Sequence, residues 1–350
     1  MINEVIERDL NDFVHRCEFH DVLKHSRFLI TGATGLLGSC LVRCLYALNC
    51  NVHMTLPVRN KQKALSLFNG FNQNVQIIEC DLLIFLNSLD ASYDYIIHCA
   101  SPTNGAFMIR YPVETYNFVC QSTSLLLNYA QKNEIKGMVY VSSVEYYGQI
   151  DSDINVTENV QGFLDLSNPR NCYPMSKRAA EFLCVASAKE FDIPVKVARL
   201  TQTFGAGVPF DDKRVFAQFA RSVILNEDII LHTDGLSAKP YCYLIDAVDA
   251  LLFILLKGAS GDAYNVANDS SYITIADLAK FLQKEFNPDI KVRKDIRPEM
   301  GYAPITKLKI SSKKLRALGW EAKYELHTMF DHLIASMKID YSNLFVDNFN

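Results

Sequence analysis

Short apolar runs alternate with stretches of helical spacing along the chain as far as Leu200. Residues 27–30, 52–58, 75–80 and 138–141, a run starting at Tyr95, and residues 195–200 read as strands. Between them Leu41, Val42, Leu45 and Leu48 recur as on one helix face, and residues 116–131 and 179–188 read as further helices. Alternation of this kind predicts an α/β fold, a parallel sheet with helices on both faces.

From Thr203 the rhythm changes to loops and shorter elements. An acidic turn at Asp211-Asp212 precedes a helix over 214–225, strands at 229–231 and 241–244, and a helix over 246–256 that rejoins the first domain. A helix over 275–285 and the segment 315–320 follow. The expected division is a helical arm over 1–25, a larger domain over 26–202 with 239–256, and a smaller lobe over 203–238 with 257–340. No internal repeat or low-complexity tract interrupts it.

The arm carries Glu4, Glu7, Arg8, Asp9, Asp12 and Arg16, so it lacks the apolar middle of a signal peptide. It reads as an amphipathic helix with Val5, Leu10, Phe13 and Val14 turned to the body. The apolar run 250–256 falls short of the roughly 20 residues of a membrane span. With 49% hydrophobic and 21% charged residues and a net charge of −4, the chain has an ordinary globular composition and no basic block for nucleic acid. Its 10 cysteines are scattered without a Cys-x-x-Cys, several inside apolar runs, which suits buried thiols in a cytoplasmic protein. Cys40 and Cys44 share a helix face, but no further ligands stand at metal-site spacing.

The strand 27–30 runs directly into Thr31-Gly32-Ala33-Thr34-Gly35-Leu36-Leu37-Gly38 and then into a helix. A dinucleotide site of Rossmann type needs this order. Gly32 permits the tight turn, Gly35 the approach of a pyrophosphate, and Gly38 close helix packing, while the helix N-terminus faces the phosphate charge. Where an acid often holds the adenosine ribose, the second strand ends in Pro57-Val58-Arg59-Asn60. Arg59 suits either a 2′-phosphate, hence NADP, or solvent. Asp81-Leu82, after the third strand, offers a carboxylate to the adenine. The fourth strand ends in His98-Cys99-Ala100-Ser101-Pro102, small residues beside the expected cofactor, with His98 packed at the strand end.

The remaining chemistry gathers between Tyr140 and Lys177. Tyr173 and Lys177 are four residues apart, so a helix begun near Pro174 places both on one face. An adjacent ammonium lowers a phenol from its usual value near 10 toward a usable general base. Ser143 is placed to hand on a hydroxyl proton, and Glu145 is a second acid/base group.

In combination these motifs resemble the extended short-chain dehydrogenase/reductases of the NAD-dependent epimerase/dehydratase family, over roughly residues 26–335. Within it the chain is most similar to UDP-glucuronate decarboxylases, through His98 to Pro102, Ser143-Val144-Glu145-Tyr146-Tyr147-Gly148, Pro169-Arg170-Asn171-Cys172-Tyr173, Lys177-Arg178-Ala179-Ala180-Glu181, and Asp212-Lys213-Arg214-Val215 followed by Phe219. The resemblance implies bound NAD, a nucleotide-sugar substrate and a homodimer. It implies transient oxidation at C4 of the sugar, loss of the C5 carboxylate from the 4-ketone, and return of the hydride. Catalysis falls to Ser143, Glu145, Tyr173 and Lys177. Thr34, Leu36, Leu37, Ala100, Ser101 and Leu200 join the glycines, Tyr173 and Lys177 at the cofactor. Pro102, Ser143, Glu145, Gln202, Arg214, Lys239 and Tyr243 meet the substrate.

The chain departs from the family in four places. Val144 replaces a hydroxyl, Val119 an asparagine that helps order a water, Gln202 a diphosphate asparagine, and Lys239 an arginine whose bidentate contact a lysine cannot make. A 4,6-dehydratase often carries an aspartate where Val144 stands, and a 4-epimerase has no need of Glu145. A dinucleotide-binding sensor would tolerate both valines but has no need of the intact Ser143, Glu145, Tyr173 and Lys177.

Overall fold

The computed structural model describes residues 3–150, 154–297 and 305–346. Helices α1 (Glu4–Arg16) and α2 (His20–Leu23) precede β1 (Arg27–Thr31), α3 (Leu36–Ala47), β2 (His53–Val58), α4 (Lys61–Leu67), β3 (Val75–Glu79), α5 (Leu82–Asn87) and β4 (Tyr95–His98). Next come α6 (Gly105–Arg110), α7 (Pro112–Lys132), β5 (Gly137–Ser143), β6 (Asn155–Val156), α8 (Cys172–Phe191), β7 (Val195–Leu200) and β8 (Gln202–Phe204). Then follow α9 (Val215–Leu225), β9 (Ile229–Leu231), β10 (Ala238–Tyr243), α10 (Leu244–Lys257), β11 (Ala263–Val266) and β12 (Asn268–Thr274). The chain continues through α11 (Ile275–Phe286), β13 (Val292–Lys294), β14 (Lys309–Ile310), α12 (Lys313–Arg316) and α13 (Leu326–Val346).

Seven strands form one sheet in the order β11-β7-β5-β4-β1-β2-β3, with every pairing parallel. The central strands are apolar without alternation because helices cover both faces, and β4 and β7 are buried throughout. The strand order reverses between β1 and β4, and such a reversal opens a crevice at the C-terminal strand ends. The glycine turn leaves β1 and Cys99 to Pro102 leave β4, so the two candidate cofactor stretches flank that crevice.

Two boundaries differ from expectation. β11 is the seventh strand of the large sheet, whereas 257–340 had been expected in the lobe. Conversely β10, expected at the start of the returning segment of the large domain, pairs with β8 and β12 in a separate three-stranded sheet. Both are short, and a short apolar run does not reveal which sheet will take it. Between them α10 is buried from Leu244 to Leu255 and packs on β5 and β7.

Helix α1 packs on α3, α10 and α13. Val5 and Phe13 are buried, with Leu10 and Val14 packed on the core. Part of its charged side also turns inward: Arg16 meets Asp246 at 2.9 Å and Asp9 meets His332 at 2.8 Å. Among the described residues no helix is long and apolar enough to cross a membrane.

Candidate active site

The glycine turn is built so closely that side chains are excluded from it. Gly32 has φ +72°, and a Cβ there would lie 2.7 Å from the Ala100 nitrogen. A Cβ on Gly38 would lie 2.3 Å from the Gly32 carbonyl oxygen, so α3 rests directly on the turn. Exposed Gly35 is the N-cap of α3 and offers no side chain to the first-turn amides. Those amides and the positive helix end fit a pyrophosphate. Thr34, Leu36 and Leu37 are half-buried along the same turn.

Arg59 is exposed just beyond β2. The Asp81 carboxylate accepts from the Ile84 amide at 3.1 Å and so caps α5, while Leu82 is buried. His98 is a packing residue, as expected. Its ring nitrogens lie 2.7 Å from Thr31 Oγ1 and 3.2 Å from Ser122 Oγ, and burial, then Lys177, push its pKa down to about 3.

Tyr173 and Lys177 lie on one buried face of α8, with Pro174 in the first turn, where its missing N–H costs nothing. The Lys177 ammonium stands 5.5 Å from the Tyr173 ring centroid and 4.9 Å from that of Tyr140. Ser143 ends β5, and Ser101 follows β4. Both hydroxyls draw the Tyr173 phenol down, in the sense that favours its ionised form. Glu145 lies in the 3-10 turn Val144–Tyr147, its amide donating to Ser143 Oγ at 3.2 Å. Four groups able to move or hold a proton thus meet at the C-terminal end of β5.

The electrostatics correct one expectation. Burial, and then the Glu145 charge, push the Tyr173 phenol up, against the pull of Ser143, Arg170 and Ser101. The phenol stands above its usual value even with the Lys177 ammonium nearby, which donates to the Val141 carbonyl at 2.9 Å. Burial lowers Lys177 itself to about 8, with Glu181 the largest opposing influence.

The expected substrate residues divide. Lys239 Nζ donates to Gln202 Oε1 at 3.3 Å, and its ammonium, lowered by burial, feels the Glu145 charge. Arg214 is held by Asp212 at 2.6 Å. Pro102 is half-buried beyond β4, and Leu200 is buried at the end of β7. Tyr243 does not reach this cleft. It is fully buried, with its hydroxyl donating to Asp9 and its ring against Tyr324. The pairing of β10 shifts register between Lys239 and Tyr241, and such a shift breaks the alternation that would put Lys239 and Tyr243 on one face. Val119 and Val144 are both buried in apolar clusters.

Two residues gained no role from the sequence. Glu181 and Arg199 form a buried pair at 2.7 Å, and Ser142 donates to Glu181, which fastens α8 to β5 and β7 beneath the site. Glu181 follows Lys177 by the same four-residue spacing as Lys177 follows Tyr173, and that was the available signal. Among the described residues no His, Cys, Asp and Glu cluster could hold a metal ion. All 10 cysteines are free thiols.

The sequence profile of the family described as NAD dependent epimerase/dehydratase matches residues 28–267. UDP-glucuronic acid decarboxylase 4 of Arabidopsis thaliana is 27% identical over 302 residues, which cover 86% of this chain and 66% of that protein. The chain thus spans just under two thirds of that relative's length. Among solved structures, the epimerase Mth375 of Methanothermobacter thermautotrophicus superposes with a TM-score of 0.78 at 18% identity, covering 96% of this chain and 97% of its own. The UDP-glucose 4-epimerase of Thermotoga maritima gives 0.74 at 20% identity, covering 91% and 99%. These two likenesses bear on the fold alone. The profile spans both flanks of the crevice and all four groups at the end of β5: the chain belongs to the NAD dependent epimerase/dehydratase family, and NAD is the cofactor that its glycine turn fits.

Proposed function

We propose that this protein acts on a nucleotide sugar through transient oxidation at C4, and that its reaction is decarboxylation of UDP-glucuronate. One observation carries the proposal: Tyr173, Ser143, Lys177 and Glu145 meet beside the glycine turn. The glycine turn and the N-terminus of α3 would hold the NAD pyrophosphate, and the nicotinamide would supply the hydride acceptor and donor for C4. In this reading Ser143 holds the C4 hydroxyl, Tyr173 takes its proton, and Lys177 holds the nicotinamide ribose and orders the phenol. The C5 carboxylate then lies β to a ketone. Its carbon–carbon bond breaks, CO2 departs, and the electron pair passes into the carbonyl before a proton is delivered to C5. Glu145 faces C5 in this account, and Tyr173 finally returns the proton to O4. Gln202, Arg214 and Lys239 are assigned to the diphosphate.

Likeness to a decarboxylase over 86% of the chain supports this choice among the family's reactions. So does Val144, buried among Tyr146, Tyr147 and Val156, in place of the aspartate with which a 4,6-dehydratase often protonates its leaving hydroxyl. The proposed homodimer would cover apolar side chains on α7 and α8, where Val113, Tyr116 and Phe182 are exposed. Ten free thiols suit the proposed cytoplasmic location.

The test is incubation with UDP-glucuronate, dTDP-glucose and UDP-hexoses. The expected result is CO2 and a UDP-pentose from the first. A 4-keto-6-deoxy sugar or a 4-epimer as the sole product would replace decarboxylation by dehydration or epimerisation, and no turnover of any would end the enzymatic reading.

A further inference from the structure

The carboxylate beside the phenol has a partner of its own. Arg170 Nη2 lies 3.1 Å from Glu145 Oε2 and 3.4 Å from Oε1, and its guanidinium carbon stands 6.0 Å from the Tyr173 ring centroid. Arg170 belongs to the 3-10 turn Pro169–Asn171 that leads directly into α8. That turn is held in place by Asn168, whose side chain accepts from the Arg170 amide at 3.0 Å, and by Asn171, which donates to the Asp165 carbonyl at 2.8 Å. The guanidinium is therefore delivered by an ordered backbone from the same helix start that carries Tyr173.

A fold-stabilising role does not account for this pair. The two side chains are 35% and 46% exposed, and ion pairs so open to water contribute little to stability. Their position is more informative. Besides Arg170, Lys177 on α8 and Lys239 on β10 feel the Glu145 charge, as does the ionisable phenol of Tyr173. The lysines are engaged elsewhere, with Val141 and Gln202, so Arg170 alone of these cations is in contact with Glu145.

We propose that Arg170 is a positioning residue, whose ion pair fixes the Glu145 carboxylate at the cleft and neutralises its charge beside the Tyr173 phenol. This rests on the reading of Glu145 and Tyr173 given above. The direction of influence agrees: Glu145 pushes the phenol up, whereas Arg170 draws it down. Without Arg170 the phenol would face an uncompensated carboxylate and hold its proton more tightly, and Glu145 would be free to swing.

The experiment compares wild type, Arg170→Gln, Arg170→Lys and the double variant Glu145→Gln/Arg170→Gln as NAD-loaded proteins. Reduction of the bound nicotinamide is followed at 340 nm across pH, with UDP-glucuronate and a panel of neutral UDP- and dTDP-hexoses. Thermal denaturation checks the fold. Arg170→Gln is expected to melt with the wild type, to move the acidic limb of the pH profile upward by roughly one unit, and to slow reduction at neutral pH by roughly tenfold. Lysine should restore the limb because it keeps the charge, and the double variant should restore it because both charges are gone. An acidic limb unmoved in Arg170→Gln, or one moved equally in Arg170→Lys, overturns the proposal while leaving the reaction intact. A wild type that reduces its nicotinamide with none of these sugars overturns the reading of the site and this proposal with it.

Discussion

The Lys177 ammonium and the Val141 carbonyl oxygen are joined at 2.9 Å across the space between α8 and β5. One hydrogen bond does not replace the water that burial removes, which is why the lysine falls from 10.5 to about 8. Between those values the unfolded chain binds more protons than the folded one, so this group's contribution to stability rises with pH there. Below about 8 its full cost stands. Lys177→Met is therefore expected to raise unfolding free energy at pH 7 by roughly 1–3 kcal/mol while abolishing turnover. Urea denaturation at pH 7 and again above pH 9 checks this, and the advantage should shrink at the higher pH.

Arg16 fastens the first helix to a carboxylate with no solvent exposure, Asp246, while Asp249 stands close enough to share its field. Arg16→Met leaves Asp246 buried without a counter-charge and is expected to cost about 3–5 kcal/mol. Removing both charges in Arg16→Met/Asp246→Leu should recover much of the loss. Thermal and urea unfolding of the two variants measure the difference.

Phe182 on α8 is 69% exposed and Val113 on α7 is 71% exposed, beside half-buried Cys120 and Ala179. If these helices meet their copies in a dimer, Phe182→Arg places a charge at the join. Light scattering should show monomers of unchanged helicity, whereas a persistent dimer would move the interface elsewhere.

Much of this architecture was legible because it is local. The glycine turn needs only Gly32, Gly35 and Gly38 between a strand and a helix, and Tyr173 and Lys177 need only helical spacing. What failed depends on contacts distant in sequence. Tyr243 was misplaced because its partners, Asp9 and His332, lie 234 and 89 residues away. β11 was misplaced because its claim on the large sheet comes from pairing with β7. The level of the phenol was misjudged because spacing gives the face it shares with Lys177 but not the burial that pushes it up.

The most direct measurement uses UDP-glucuronate carrying deuterium at C4. If Tyr173 takes the hydroxyl proton while the hydride leaves and returns on one face, the UDP-pentose released with CO2 keeps its deuterium at C4, and Tyr173→Phe makes almost none of it. Product with ordinary hydrogen at C4, or CO2 release undiminished by loss of the phenol, would contradict the account.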